Sequence, residues 1–291
     1  MSVACRHRRR GALNPKFINI GRQRLAYFES AGTGTSSDSP SVLFVHGNSL
    51  SSRSFLRQME GPLAKKYRLT ALDLPGHGMS APAEDPTTTY SMSGLVGIIC
   101  EFAERVGLRD SVFVGWSLGG NLLVEALELL PSAKGLMFIG TFLPSKTLDM
   151  GLMAYPHPAL ASLFKADLTD EELNTFASAL MKPGVVPPLF LREDIRKSDA
   201  RLRAVLGDAI AQGRHKDEVS IVAGLQTPLA VVLGAEDQLC RESYMRNLRM
   251  PSLWRGDLQV ISDAGHIPQW EQPEKFNGIL EEFIMESTGQ K

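Results

Sequence analysis

The sequence is short of cysteine, of excess charge and of long apolar runs, and each shortage excludes a class of protein. Its three cysteines, Cys5, Cys100 and Cys240, are odd in number and widely separated. They form neither a disulfide framework nor a metal-ligand spacing, so a reducing, cytoplasmic compartment is the expectation. Neither a metal nor another cofactor is expected. The 31 lysines and arginines are balanced by 32 aspartates and glutamates, for a formal charge of −1. That balance offers no field to draw a polyanion, so nucleic acid and anionic membrane surfaces are not expected partners. No apolar run approaches the ~20 residues of a membrane span, and the composition sets no oligomeric state. Acidic residues are missing before Glu29, where Arg6, Arg8, Arg9 and Arg10 cluster. No apolar stretch follows them as in a secretory signal. Residues 1–16 therefore read as a basic arm, with a transit peptide as the alternative.

What remains is an ordinary globular balance over 291 residues, 43% hydrophobic and 22% charged, enough for one large α/β domain or one domain with an insertion. Phe17–Ile20 and Arg24–Phe28 flank Gly21 and suggest an opening hairpin, after which residues 32–40 form a flexible connection. Ser41–Val45 is a continuous apolar run, as expected for a strand buried on both faces. Further strands are expected at Tyr67–Leu72, Ser111–Val114, Gly135–Gly140, Leu229–Leu233 and Leu258–Ile261, with helices at Ser91–Val106 and Pro273–Met285. Strands alternating with helices imply a largely parallel sheet covered on both faces. Between about Leu143 and Ser220 the rhythm breaks into helices, with a capping box at Thr169 and Glu172 and one helical stretch over Arg192–Leu206. This segment reads as a helical cap. Its long side chains, among them Met150, Tyr155, Phe164 and Phe176, suggest an apolar acyl pocket.

The chemistry centres on Gly115-Trp116-Ser117-Leu118-Gly119, which follows a β-type run and precedes a helix-type run. A serine on a strained strand-to-helix turn exposes its Oγ, and flanking glycines remove side chains that would collide there. A serine hydroxyl needs a base, and the base needs a third group to orient it. Of six histidines, His266 alone lies on a late loop just past a strand; His7 lies in the arm, and His157 and His215 have no supporting pattern. The acid is expected between serine and base in the chain. Asp237 is the choice and Glu236, its neighbour, the alternate. The oxyanion donors are expected to be the amides of Leu118 and of Asn48, in the loop after the Ser41–Val45 strand. The Asn48 side chain is a further substrate contact.

Four ordered motifs then carry a resemblance: His46-Gly47-Asn48, Asp73-Leu74-Pro75-Gly76-His77-Gly78-Met79-Ser80, Gly115-Trp116-Ser117-Leu118-Gly119-Gly120 and Ala264-Gly265-His266. From Phe17 onward the chain resembles an α/β-hydrolase. Local features, including Tyr90-Ser91-Met92, Gly135-Leu136-Met137 and Ser252-Leu253-Trp254, are most similar to the N-acyl-homoserine lactone-hydrolysing, quorum-quenching branch. The resemblance implies a mostly parallel eight-stranded sheet flanked by helices, with the cap inserted after the sixth strand. The expected division is a core at 17–143 and 221–291 and a cap at 144–220. It also implies that Asn48 helps hold the substrate. A cap tyrosine of that family is matched here by Phe176, so a phenol donor is absent, and its glutamate acid is matched by Asp237. Trp116 and Ile267 complete the expected substrate contacts.

The expected function is hydrolysis, without a metal, of a small apolar ester or lactone through Ser117, Asp237 and His266. The best-fitting reaction is ring opening of N-acyl-homoserine lactones. A general carboxylesterase or a carbon–carbon bond hydrolase is the alternative, since one fold hosts all three. Amide cleavage of the same lactones is a further rival. A ligand receptor that keeps the triad is the reading from another class, and ligand-induced stabilisation with very slow turnover would mark it.

Overall fold

The computed structural model describes residues 13–30 and 39–290, so the arginine cluster, Cys5, His7 and most of the 32–40 connection lie outside the described residues. Eight strands form one sheet: β1 (Lys16–Ile20), β2 (Gln23–Glu29), β3 (Ser41–Val45), β4 (Arg68–Leu72), β5 (Val112–Trp116), β6 (Gly135–Ile139), β7 (Leu229–Gly234) and β8 (Gln259–Ile261). Their order is β1-β2-β4-β3-β5-β6-β7-β8. The β1–β2 hairpin is antiparallel and β2 meets β4 antiparallel; every pairing from β4 to β8 is parallel. The expected α/β-hydrolase architecture is present.

The apolar runs of the central strands follow from burial on both faces. Val42, Phe44, Val112, Val114, Met137 and Ile139 join the core on one side of the sheet. Leu43, Val45, Phe113, Leu136 and Phe138 join the core on the other. Successive side chains of a strand point to opposite faces, so a strand between two cores is apolar at every position. The Met92–Arg105 helix starts where Ser91 Oγ accepts from the Gly94 amide. The Pro273–Thr288 helix closes the chain over the first core through Phe276, Leu280, Phe283 and Ile284.

Between β6 and β7 lie six helices and no strand, from Met150–Met153 to Glu218–Gly224. Asp170–Ala179 begins at the expected capping box, in which Thr169 and Glu172 satisfy each other's backbone amides. The single helical stretch expected over Arg192–Leu206 is two helices, Leu189–Lys197 and Ala200–Ala211. The break falls where Ser198 Oγ donates to the Ile195 carbonyl and Asp199 caps the second helix by accepting from the Arg201 amide. Both residues offer the backbone a local alternative to the helix ladder. This helical layer packs on the first core through Leu173, Phe176, Leu180, Leu191 and Ile195.

Candidate active site

The parallel run of strands delivers four loops to one edge of the sheet, the carboxyl edge, where ligands of open α/β sheets bind. Ser117 follows β5 directly, at φ +52° and ψ −121°, and begins the Leu118–Ala126 helix. A non-glycine residue at positive φ stores strain, and the surroundings fix it here. The Ser117 amide donates to the Ile139 carbonyl at 2.8 Å. Its carbonyl accepts from the Gly120 amide at 2.8 Å and from Thr141 Oγ1 at 3.1 Å. The turn is tight enough that a Cβ on Gly119 would lie 2.2 Å from the Val45 carbonyl oxygen, and one on Gly115 2.5 Å from the Gly119 oxygen. The glycines on both sides of the serine are therefore steric requirements.

The loops after β7 and β8 are zipped together. The Ala235 amide donates to the Ile261 carbonyl and the Glu236 amide to the Ala264 carbonyl, each at 2.9 Å. This places Asp237 against His266, with Oδ2 2.8 Å from Nδ1, in a site where both side chains are almost fully buried. The other carboxylate oxygen, Oδ1, accepts from the amides of Leu239 and Cys240 at 2.8 and 2.9 Å. A carboxylate so anchored orients the imidazole and fixes its proton on Nδ1, which leaves Nε2 as the basic nitrogen. Glu236, the alternate acid, is exposed. His266 is further held by its carbonyl, which accepts from the buried Trp116 Nε1 at 2.8 Å.

Ser117 and His266 line the same small hollow together with Asn48, Trp116 and Phe176. A second cavity, of about 100 Å³, opens from Ser117, Leu118 and Asn48 past Phe142, Met150 and Phe164. The amides of Asn48 and Leu118 donate to no other described residue. Leu118 is the first residue of its helix, where an amide has no intrahelical acceptor. Two free donors on residues that line the cavity with Ser117 are what an oxyanion formed there would require. Asn48 is fixed at both ends of its side chain. Nδ2 donates to the Leu163 carbonyl at 2.8 Å, and Oδ1 accepts from Ser49 Oγ at 2.9 Å.

The remaining histidines of the β3 and β4 loops are structural. His46 accepts the Leu74 amide at Nε2 and faces its neighbour Gly47's carbonyl through Nδ1. Burial lowers its pKa to about 4. His77, packed 5.0 Å from it, is lowered to about 3, again chiefly by burial.

Two expected substrate contacts are corrected. Tyr155 lines neither cavity; it is 37% exposed, and its ring stacks under the Arg241 guanidinium at 4.6 Å. Ile267 is fully buried in the core behind His266. Met150, Phe164, Trp116 and Phe176 do line the site. Sequence reasoning missed Arg203, which is buried and spans the two layers. It donates to the carbonyls of Lys165 and Ala166 and to the hydroxyls of Ser49 and Ser198. Through Ser49 it reaches the side chain of Asn48. Asn121 was missed as well, although it lies one helical turn beyond Ser117 and so could have been found from spacing.

A family model described as the alpha/beta hydrolase family matches residues 42–279. Among solved structures, a serine-to-glycine variant of the N-acyl homoserine lactonase AidH, complexed with N-hexanoyl homoserine lactone, is 31% identical. It superposes with a TM-score of 0.89 over 96% of this chain and 100% of that one. A dihydrolipoyllysine-residue acetyltransferase component of the acetoin cleaving system from Cupriavidus necator is 26% identical over 275 residues, 92% of this chain and 68% of its own length. The 2-hydroxy-6-oxononadienedioate/2-hydroxy-6-oxononatrienedioate hydrolase of Burkholderia vietnamiensis is 25% identical over 289 residues, 92% and 95% of the two chains.

Proposed function

The chain belongs to the alpha/beta hydrolase family and acts on ester bonds, and from that premise we propose that it opens the ring of N-acyl-homoserine lactones through Ser117, Asp237 and His266. One observation carries the reading: His266, anchored by Asp237, lines the same hollow as the strained Ser117. In this account His266 Nε2 takes the Ser117 proton as Oγ attacks the lactone carbonyl. The amides of Asn48 and Leu118 bind the oxyanion. Collapse breaks the ring C–O bond, and the departing alkoxide takes its proton from His266. Water, activated by His266, then hydrolyses the acyl-enzyme, and the proton it gives up returns to Ser117. The product is the lactone plus one water.

Residues 144–220 act as a cap over a core formed by 17–143 and 221–291, and the cavity walled by Met150 and Phe164 takes the acyl chain. Support for a lactone comes from the 31% identical lactonase, whose complex carries an N-hexanoyl homoserine lactone. Phe176 stands in the hollow beside the reacting groups and brings no hydroxyl, so substrate orientation falls to Asn48 and the oxyanion amides.

The test is incubation of the protein with N-hexanoyl homoserine lactone, methyl hexanoate and a vinylogous 1,5-diketone, with products read by mass spectrometry. Ring-opened lactone, 18 mass units heavier by the addition of one water on general chemical grounds, is the expected product. Hexanoic acid with free homoserine lactone would mean amide cleavage instead. Rapid cleavage of the simple ester or the diketone with no ring opening would overturn the lactone assignment.

A further inference from the structure

The wall of the cavity beside Ser117 is not wholly apolar. Along the Leu118–Ala126 helix, Asn121 and Glu125 follow Ser117 at intervals of four residues, and all three line the cavity. At 1.5 Å per residue they stand about 6 and 12 Å along the helix from the nucleophile. Facing them, from the layer between β6 and β7, are His215 and Glu218. Asn121 Nδ2 donates to Glu218 Oε2 at 2.7 Å, which ties the two walls together.

Two polar atoms in this wall are buried and have no partner among the described residues: Glu125 Oε1 and His215 Nδ1. Glu125 is 4% exposed. His215 Nε2 faces the Ser145 carbonyl at 3.1 Å, so Nε2 carries the proton and Nδ1 offers a lone pair. Burying such groups without partners is costly, and an apolar acyl chain alone would leave them unmet.

Resting on the hydrolase reading above, we propose that the preferred substrate bears a hydroxyl group on its acyl chain, roughly one to two helical turns from the scissile carbonyl, and that Glu125 and His215 recognise it. A hydroxyl donates to His215 Nδ1 and meets Glu125 as donor or acceptor. A neutral group fits better than an ammonium. Burial raises the pKa of Glu125 and holds Glu218 well above the usual carboxylate range, Lys216 lies close enough to act on both acids, and Arg214 lines the same cavity.

The experiment compares kcat/KM for methyl 6-hydroxyhexanoate and methyl hexanoate in the wild type, in Glu125→Leu and in His215→Leu. The wild type is expected to favour the hydroxylated ester about tenfold, the value of one well-made buried hydrogen bond. Each leucine variant is expected to lose or reverse that preference. If Glu125→Leu does not fold, His215→Leu supplies the same comparison. Calorimetry of both esters on Ser117→Ala reads the preference without turnover, so failure of the hydrolase reading and failure of this inference are distinguishable. Equal or better use of the plain ester by the wild type, with equal affinities in calorimetry, would overturn the inference. So would a preference that survives both leucine substitutions.

Discussion

Replacing Asp237 by asparagine separates positioning from packing, because the two carboxylate oxygens have different partners. Oδ1 accepts from two amides, at 2.8 and 2.9 Å, and Oδ2 faces His266 Nδ1 at 2.8 Å. Asparagine is nearly isosteric and can keep only one of these arrangements. If its oxygen stays with the Leu239 and Cys240 amides, its NH2 group faces Nδ1 and demands a lone pair there. Reversing the amide would set two donors against two donors, each lost bond costing about 1–3 kcal/mol, so the first arrangement wins. The imidazole proton then moves to Nε2, and the base toward Ser117 is gone. A wrong tautomer of this kind lowers kcat by about 10⁴, or ~5.5 kcal/mol in the barrier. Stability should fall by only ~1 kcal/mol, since one charge-assisted bond becomes a neutral one. The assay is steady-state hydrolysis of a short-chain ester beside urea unfolding. KM should hold nearly constant, because Asp237 lines neither cavity. Glu236→Gln, at an exposed position, should leave kcat within about twofold. A folded Asp237→Asn enzyme with kcat within tenfold of wild type, or an equal loss in Glu236→Gln, would refute the assignment.

Arg203→Met removes four hydrogen bonds from a buried position and should lower stability by about 3 kcal/mol or more in urea unfolding. It should also raise KM for acyl substrates as Ser49 and Asn48 lose their anchor; unchanged KM would mean that Arg203 serves the fold alone. Gly119→Ala drives a methyl group to 2.2 Å from the Val45 carbonyl, so thermal unfolding should show a loss of about 1–3 kcal/mol. Its kcat should fall further than that stability loss accounts for, since the Leu118 amide moves with the turn. Acid should destabilise the protein through His46 and His77, whose folded pKa values of about 4 and about 3 lie below the ordinary 6.5. The unfolded chain takes up protons first as pH falls through 6.5, so their stabilisation is complete above that value. By pH 5 about 2 kcal/mol per imidazole should be lost, readable as a shift in urea midpoint between pH 7.5 and 5.

The sheet was legible because its central strands carry their own signature. β3 occupies the span its apolar run marks out, and β5 ends at the elbow the glycines require. The order of Ser117, Asp237 and His266 along the chain points to one edge of the sheet, since each follows a strand of one parallel set, and there Asp237 faces His266. The helical layer was harder. A broken helix and a continuous one share the same apolar periodicity, and the Ser198 break is a matter of side-chain bonds to the backbone. Tyr155 and Ile267 were misplaced because an apolar side chain near a site can pack into the core or over the surface as easily as into a pocket. Arg203 was invisible because its contact with the β3 loop, to Ser49, spans 154 positions of sequence. The unpaired atoms of Glu125 and His215 likewise exist only where separate elements meet.

The proposed mechanism makes Ser117 the nucleophile, activated by His266 on Asp237. An alkyl phosphonate bearing a good leaving group esterifies an activated serine and stays attached, so its site of attachment can be mapped by peptide mass spectrometry. One stoichiometric adduct on Ser117 is expected, with no adduct and no ester or lactone turnover in Ser117→Ala, and strongly slowed labelling in Asp237→Asn. An adduct at another residue, or full turnover by a folded and uncontaminated Ser117→Ala protein, would contradict it.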